Sequence, residues 1–168
     1  MSATDHLVGD AVPAVADGAP THSVDLPLGC QTPPSIHGVG IDVNSVSRVA
    51  GLMDVYGASF VATRFDEVEL GEPPYDACKV AEAISAKEAV WKSLRIDERT
   101  PVPWRQIVIT RCHDAVAAQL DGELQGVATS LGVGPITLSS TVSGDLAFAV
   151  AIAETLGSPS SVPNPATS

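Results

Sequence analysis

Two carboxylates and one lysine are the side chains whose type and spacing best suit phosphate chemistry in this chain. Asp42 ends the short apolar segment 38–42, and Glu88 lies in the segment 85–92, one helical turn before Lys92. Mg²⁺ usually takes one or two carboxylates together with waters and phosphate oxygens. The sequence therefore indicates a site where Asp42 and Glu88 hold a divalent cation against a diphosphate while Lys92 neutralises a phosphate.

Each of these residues also has an ordinary structural interpretation. Asp42 stands just before a predicted helix, where a carboxylate often serves as a turn former or N-cap. Glu88 and Lys92 are four residues apart, the spacing of a common ion pair on a helix surface. Neither residue is diagnostic alone, so the interpretation as a metal site depends on the combination.

Several other chemistries have no support in the sequence. The pattern GxxxxGK[ST] does not occur, which disfavours nucleotide triphosphate hydrolysis by a P-loop. Cys30, Cys78 and Cys112 are widely separated and lack the spacing of a metal site, so we interpret them as reduced thiols.

Composition limits the partners of the protein. The 168 residues carry nine Lys and Arg against twenty Asp and Glu, a formal net charge of −11. Such a balance argues against nucleic acid and against anionic membranes, both of which attract basic surfaces. The sequence has no signal-peptide pattern and no apolar run long enough for a membrane span. We expect a cytoplasmic protein whose core is built mostly from alanine and valine.

Three regions follow from the distribution of apolar residues. Residues 1–35 are rich in Ala, Pro, Gly and Asp without any periodicity, and 157–168 contain three prolines, so both are predicted to be disordered tails. The folded unit is predicted to span 36–156.

Periodicity inside this unit predicts an α+β domain, an antiparallel sheet packed on helices with one long central helix. Gly38 and Gly40 interrupt the first strand, where they would leave room for a diphosphate to approach the backbone. The helix that follows is predicted to have Asn44 or Ser45 as its N-cap and to end at Gly57. The predicted strands are 36–43, 106–111, 115–120, 136–141 and 146–153, and the predicted helices are 45–56, 66–70, 75–94 and 123–131.

The segments around these residues resemble the holo-acyl-carrier-protein synthases, the short AcpS-type 4'-phosphopantetheinyl transferases. Residues 38–43 with Arg48 are similar to the opening pattern G-x-G-x-D-[IV]…R of that family, and residues 63–70 to its R-x-F-T-x-x-E-L segment. Residues 85–94 resemble its helix motif A-A-K-E-A-x-x-K-A-L most closely. The resemblance extends over 36–156.

The resemblance implies a function. Enzymes of this family move 4'-phosphopantetheine from coenzyme A to a serine of an acyl or peptidyl carrier protein with the help of Mg²⁺. By position, Asp42 and Glu88 would be the metal ligands, and Glu88, or a water that it holds, would help to remove the serine proton. Lys92 would contact phosphate, with Lys87 as a lesser candidate. A homotrimer with sites shared between neighbouring subunits is also implied.

The chain departs from the family pattern in four places, the first of which is the pair Ala83 and Ile84. Ala83 and Ile84 replace an arginine and an aromatic residue, and Ser45 replaces a glutamate. The segment 95–99 lacks the expected glycines, and 138–142 lacks a histidine. These departures leave two alternatives open: a paralogue with altered chemistry, such as a dehydratase or cyclase acting on carrier-tethered acyl or polyketide intermediates, and a non-catalytic module that binds a carrier protein.

Overall fold

The computed structural model describes residues 35–97, 99–112 and 115–157. The predicted tails 1–35 and 157–168 lie outside these ranges except for Ser35 and Gly157, so their predicted disorder stays a prediction. Within the described ranges no helix is both long and apolar enough to cross a membrane.

Five strands and five α-helices form the described part of the chain. A single turn of 3-10 helix, Trp104–Gln106, precedes the second strand. In chain order the elements are β1 (Ile36–Ser45), α1 (Val46–Tyr56), α2 (Ala58–Ala62), α3 (Glu67–Leu70), α4 (Ala77–Ser93), β2 (Ile107–Cys112), β3 (Ala115–Leu120), α5 (Gly122–Ser130), β4 (Val133–Ser143) and β5 (Leu146–Thr155).

The predicted elements are all present, and one helix was missed. Ser45 rather than Asn44 caps α1, since its side chain accepts a hydrogen bond from the Arg48 backbone N–H. Gly57 ends α1 with a φ of 58°, and α2 begins at the next residue. Five residues are too few to show a helical period, which explains why α2 escaped prediction. Both β4 and β5 extend beyond their predicted ends.

The strands form one antiparallel sheet in the order β1-β5-β4-β3-β2. The long helix α4 lies across one face of this sheet and contacts β1, β5, β4 and β2. This arrangement confirms the predicted α+β class with a long central helix.

Where α4 meets β5 the core is made from small side chains, as predicted, although the same core also contains larger residues such as Leu94, Ile107 and Ile109. Alternate residues of β5, from Ala147 to Ala153, are alanines with at most 1% exposure. They face α4, where Ala86, Ala89 and Val90 are also fully buried. Small residues on both surfaces let the helix approach the sheet closely.

The glycines of β1 contribute to the same close approach. Gly38 and Gly40 are on the face of β1 that meets α4. A Cβ atom on Gly40 would overlap the Ala89 carbonyl oxygen and lie 2.7 Å from the Ser93 backbone nitrogen. The prediction that these glycines leave room for a diphosphate is therefore wrong, because α4 fills that space.

The opposite face of β1 and β5 is apolar and exposed. It presents Val39, Ile41 and Val43 from β1 together with Phe148 and Val150 from β5, with Ile41 60% exposed. Ile41 is paired with Val150 and Val43 with Phe148, so these side chains form one continuous patch, here named the outer apolar face.

Candidate functional site

Asp42 lies on the inner face of β1, because side chains alternate along a strand and Asp42 shares its face with Gly40. The residue is 7% exposed. Its Oδ1 atom is 2.7 Å from the Lys92 Nζ atom, and its Oδ2 atom accepts a hydrogen bond of 2.7 Å from the Asn44 side-chain amide. Asp42 is therefore a buried, paired carboxylate, and Ser45 holds the N-cap position that the alternative interpretation gave to Asp42.

Glu88 approaches Asp42 from α4. It is half-buried, and its carboxyl group lies close enough to the Asp42 carboxyl group for Asp42 to shift its pKa. Burial, followed by the hydrogen bond to Asp42 and its negative charge, raises the pKa of Glu88 to about 7, although Lys92 and Arg48 oppose this rise. The Asp42 and Glu88 carboxyl groups therefore lie near each other in a partly desolvated environment.

Lys92 bridges the helix and the strand. Its ammonium group contacts both the Asp42 carboxylate and, at 3.2 Å, the Ile41 carbonyl oxygen. Among the described residues its ion pair is with Asp42 rather than with Glu88, so the alternative of a helix-surface pair does not describe this lysine. The Lys92 side chain is 50% exposed and can also reach a bound molecule.

Two residues that were not assigned to the site from the sequence complete the cluster. The Asn44 amide lies beside Asp42, and its oxygen accepts a hydrogen bond of 2.7 Å from the Arg48 guanidinium. A signal was present in the sequence, since Asn44 is two residues after Asp42 and a strand places such residues on one face.

Lys87 lies away from this cluster. It is fully buried, and its ammonium group donates to the Glu69 carboxylate at 2.8 Å and to the backbone oxygens of Arg64 and Trp104. Burial lowers the pKa of Lys87, while the Glu69 carboxylate acts in the opposite direction. All three ammonium donors have protein partners, so the predicted phosphate contact of Lys87 is corrected to a structural role.

Glu69 makes that role clear. Besides pairing with Lys87, its carboxylate accepts hydrogen bonds of 2.9 Å from the backbone N–H groups of Asp66 and Ile109. The buried pair therefore ties α3, α4 and β2 together.

The site fits a hard divalent cation that completes its shell with substrate oxygens. Within residues 35–97, 99–112 and 115–157, no group of three or more His, Cys, Asp or Glu side chains could hold a metal. Asp42 and Glu88 supply two carboxylates, the number that Mg²⁺ commonly takes when phosphate oxygens supply the rest. Burial, and after it the neighbouring Asp42, raises the pKa of Glu88, and a cation bound here would favour the ionised form of Glu88.

Comparisons with known proteins identify relatives that align with about 70% of this chain. No protein-family model matches the chain. A holo-[acyl-carrier-protein] synthase of Chlamydia trachomatis serovar D is 34% identical over 123 residues, which cover 70% of this chain and 98% of that protein.

Solved structures with the same fold are also those of holo-[acyl-carrier-protein] synthases. The crystal structure of holo-[acyl-carrier-protein] synthase from Neisseria meningitidis superimposes with a TM-score of 0.65 at 23% identity, covering 71% of this chain and 99% of that one. The Helicobacter pylori synthase in complex with coenzyme A gives a TM-score of 0.58 at 19% identity, covering 68% and 98%.

Proposed function

This chain belongs to the holo-[acyl-carrier-protein] synthase family, and we propose that it transfers 4'-phosphopantetheine from coenzyme A to a serine of an acyl carrier protein. The observation that carries the proposal is the meeting of Asp42 and Glu88, from β1 and α4, beside the cation Lys92. Membership of this family implies that the protein is a transferase with coenzyme A as co-substrate and an acyl carrier protein as partner.

The two alternatives are less well supported. A dehydratase or cyclase, or a non-catalytic carrier-binding module, would keep the fold and lose the named activity. The relatives that match almost their full length are holo-[acyl-carrier-protein] synthases, and the acidic pair and Lys92 are in place in this chain. Ala83 and Ile84, where the family pattern has arginine and an aromatic residue, are buried in the core.

In the proposed reaction the serine oxygen forms a bond to the phosphorus on the pantetheine side of the diphosphate. The bond from that phosphorus to the bridging oxygen breaks, and 3'-phosphoadenosine 5'-phosphate leaves with the bridging oxygen. When bound, Mg²⁺ would neutralise charge on the diphosphate. Asp42 and Glu88 would hold it.

Glu88 and Lys92 have further roles in this proposal. Glu88, or a water that it holds, accepts the serine proton as the general base. Lys92 contacts a phosphate oxygen, which its exposed ammonium group can reach by exchanging its bond to Asp42.

We also propose that the protein assembles as a homotrimer through the outer apolar face. This face joins exposed valine, isoleucine and phenylalanine side chains of two neighbouring strands. Contiguous apolar surface of this kind marks interaction sites in water-exposed proteins. Burial of Ile41 between subunits would also place the interface one residue from Asp42, consistent with sites near subunit boundaries.

The transferase proposal is tested by incubating an apo acyl carrier protein with the full chain, Mg²⁺ and coenzyme A and weighing the carrier by mass spectrometry. We expect the carrier to gain the mass of phosphopantetheine. Glu88→Gln and Asp42→Asn, which keep side-chain shape, should lower the rate by roughly 100-fold or more.

Glu82→Gln is the matched control on the same helix. Glu82 bonds to Ser140 and Arg111 instead of the site, so this variant should retain activity. An unmodified carrier across several carrier proteins would refute the transferase, and full activity of either site variant would refute the metal pair.

A further inference from the structure

Asn44 is the most fully engaged polar side chain around Asp42. Its amide nitrogen donates to Asp42 Oδ2 at 2.7 Å and to the Ser85 hydroxyl at 3.1 Å, while its amide oxygen accepts from Arg48 at 2.7 Å. The residue is 5% exposed. Its partners come from three elements, β1, α4 and α1.

These partners fix which way the amide faces. Arg48 can only donate, so it must meet the amide oxygen, and an ionised Asp42 can only accept, so it must meet the amide nitrogen. Ser85 strengthens this orientation because its own hydroxyl donates to the Ala147 carbonyl oxygen at 3.2 Å and leaves a lone pair for Asn44. A flipped amide would break contacts at both ends.

The two oxygens of Asp42 therefore have different partners. Oδ2 is held by a buried amide that cannot leave the core, whereas Oδ1 is held by Lys92, a half-exposed ammonium on a long, flexible side chain. An incoming cation can displace the lysine from Oδ1 while Asn44 keeps the carboxylate plane in place.

We propose that Asn44 is a positioning residue that orients the Asp42 carboxylate for divalent-cation binding. This inference rests on the proposed function, in which Asp42 is a metal ligand. Hydrogen bonds behind a metal ligand reduce the orientations that it must give up on binding, and their loss typically weakens metal affinity by about 10–100-fold.

The test compares Asn44→Thr with Asn44→Val in the full-length chain. The two replacements have the same shape and both suit a strand, but only threonine can donate a hydrogen bond to Asp42. Binding of Mn²⁺ in the absence of coenzyme A is measured by the electron paramagnetic resonance of the free ion. We expect the Val variant to bind about tenfold or more weakly than the Thr variant.

Ser85→Ala is the control, because it removes a partner of Asn44 and leaves the bond from Asn44 to Asp42. Its Kd for Mn²⁺ should stay within about threefold of the wild-type value. In turnover assays the Val variant should need a higher Mg²⁺ concentration while keeping the wild-type KM for coenzyme A. General destabilisation of the protein would not change the Mg²⁺ requirement alone.

Each outcome decides between the hypotheses. Equal Mn²⁺ affinities of folded Thr and Val variants would overturn the positioning role. If the Val variant does not fold, the smaller pair Asn44→Ser and Asn44→Ala replaces it, and unfolding of both apolar variants would show that Asn44 serves the fold instead. A wild-type chain that binds Mn²⁺ neither alone nor in the presence of coenzyme A would refute the proposed metal pair itself, which is a separate failure.

Discussion

At the scale of single residues, Glu88 combines a structural cost with a functional use. The carboxyl group of Glu88 is half-buried and lies next to the Asp42 carboxylate. Burial and this neighbour together raise the pKa of Glu88 to about 7 from an ordinary value of 4.5. A folded-state pKa above the unfolded value means that the folded protein binds more protons between these two pH values. The contribution of Glu88 to stability is therefore complete below pH 4.5 and lost as the pH rises through 7.

The upward shift of the Glu88 pKa predicts that Glu88→Gln stabilises the protein when no metal is added. At pH 8 the glutamine variant should unfold a few degrees above the wild type, since removing one half-buried charge is worth on the order of 1 kcal/mol. At pH 5, where Glu88 is protonated, the difference should vanish. Thermal unfolding followed by circular dichroism at the two pH values measures this effect.

Addition of Mg²⁺ extends the same measurement. Millimolar Mg²⁺ should raise the unfolding temperature of the wild type at pH 8 and leave that of Glu88→Gln unchanged, because ligands stabilise only the state that binds them. A glutamine variant that is less stable than the wild type at pH 8 would contradict the assigned environment of Glu88.

At the scale of secondary-structure elements, the distance between β1 and α4 determines the geometry of the site. Asp42 belongs to the strand, while Glu88 and Lys92 belong to the helix, so these groups meet only if the two backbones pack closely. Gly40 permits this because its missing side chain leaves room for the Ala89 carbonyl group.

Gly40→Ala is predicted to damage both the fold and the site. The added methyl group must displace the backbone of α4, and overpacking of this kind costs roughly 1–3 kcal/mol. The shift would also separate Glu88 from Asp42, so Mn²⁺ binding should weaken in whatever fraction stays folded. Chemical denaturation and Mn²⁺ titration measure the two effects.

Gly51→Ala provides the matched control for this substitution. Gly51 lies in α1, and a Cβ atom added to it would meet no heavy atom within 4 Å. Alanine there should leave stability unchanged or raise it by up to about 1 kcal/mol through helix propensity. Equal stability of Gly40→Ala and the wild type would show that the contact between β1 and α4 is less tight than described.

At the scale of the whole molecule, the sheet has two different faces. One is covered by α4, and the other presents the outer apolar face, which is formed partly by β1, the strand that carries Asp42. A net charge of −11 gives the chain little long-range attraction for an acidic carrier protein. The proposed trimer therefore depends on apolar contact through the outer apolar face rather than on attraction between charges.

Ile41→Glu tests the proposed trimer. Light scattering coupled to size exclusion should give three times the mass of the chain for the wild type and a smaller mass for the variant, because a charge would be buried at the interface. Val127→Glu, at an exposed valine of α5 away from the outer apolar face, should leave the mass unchanged. A monomeric wild type would refute the trimer.

Of the four site residues predicted from the sequence, three lie together in the structure and one lies elsewhere. Asp42, Glu88 and Lys92 stand in motifs whose local spacing is readable, and the structure brings these three together, although their roles remain proposals. Lys87 stands in the same motif as Glu88, but its neighbours Glu69 and Trp104 come from other elements, so spacing could not reveal that it is buried and fully bonded.

The sequence alone determined the α+β class, the extents of most elements, the small-residue core and the family, because these depend on periodicity, turn residues and contiguous motifs. The tertiary structure decided which lysine meets the acidic pair, what the glycines of β1 face and which amide holds Asp42. Each of these depends on the close packing of α4 against β1, a contact between residues far apart in the chain that no local pattern encodes.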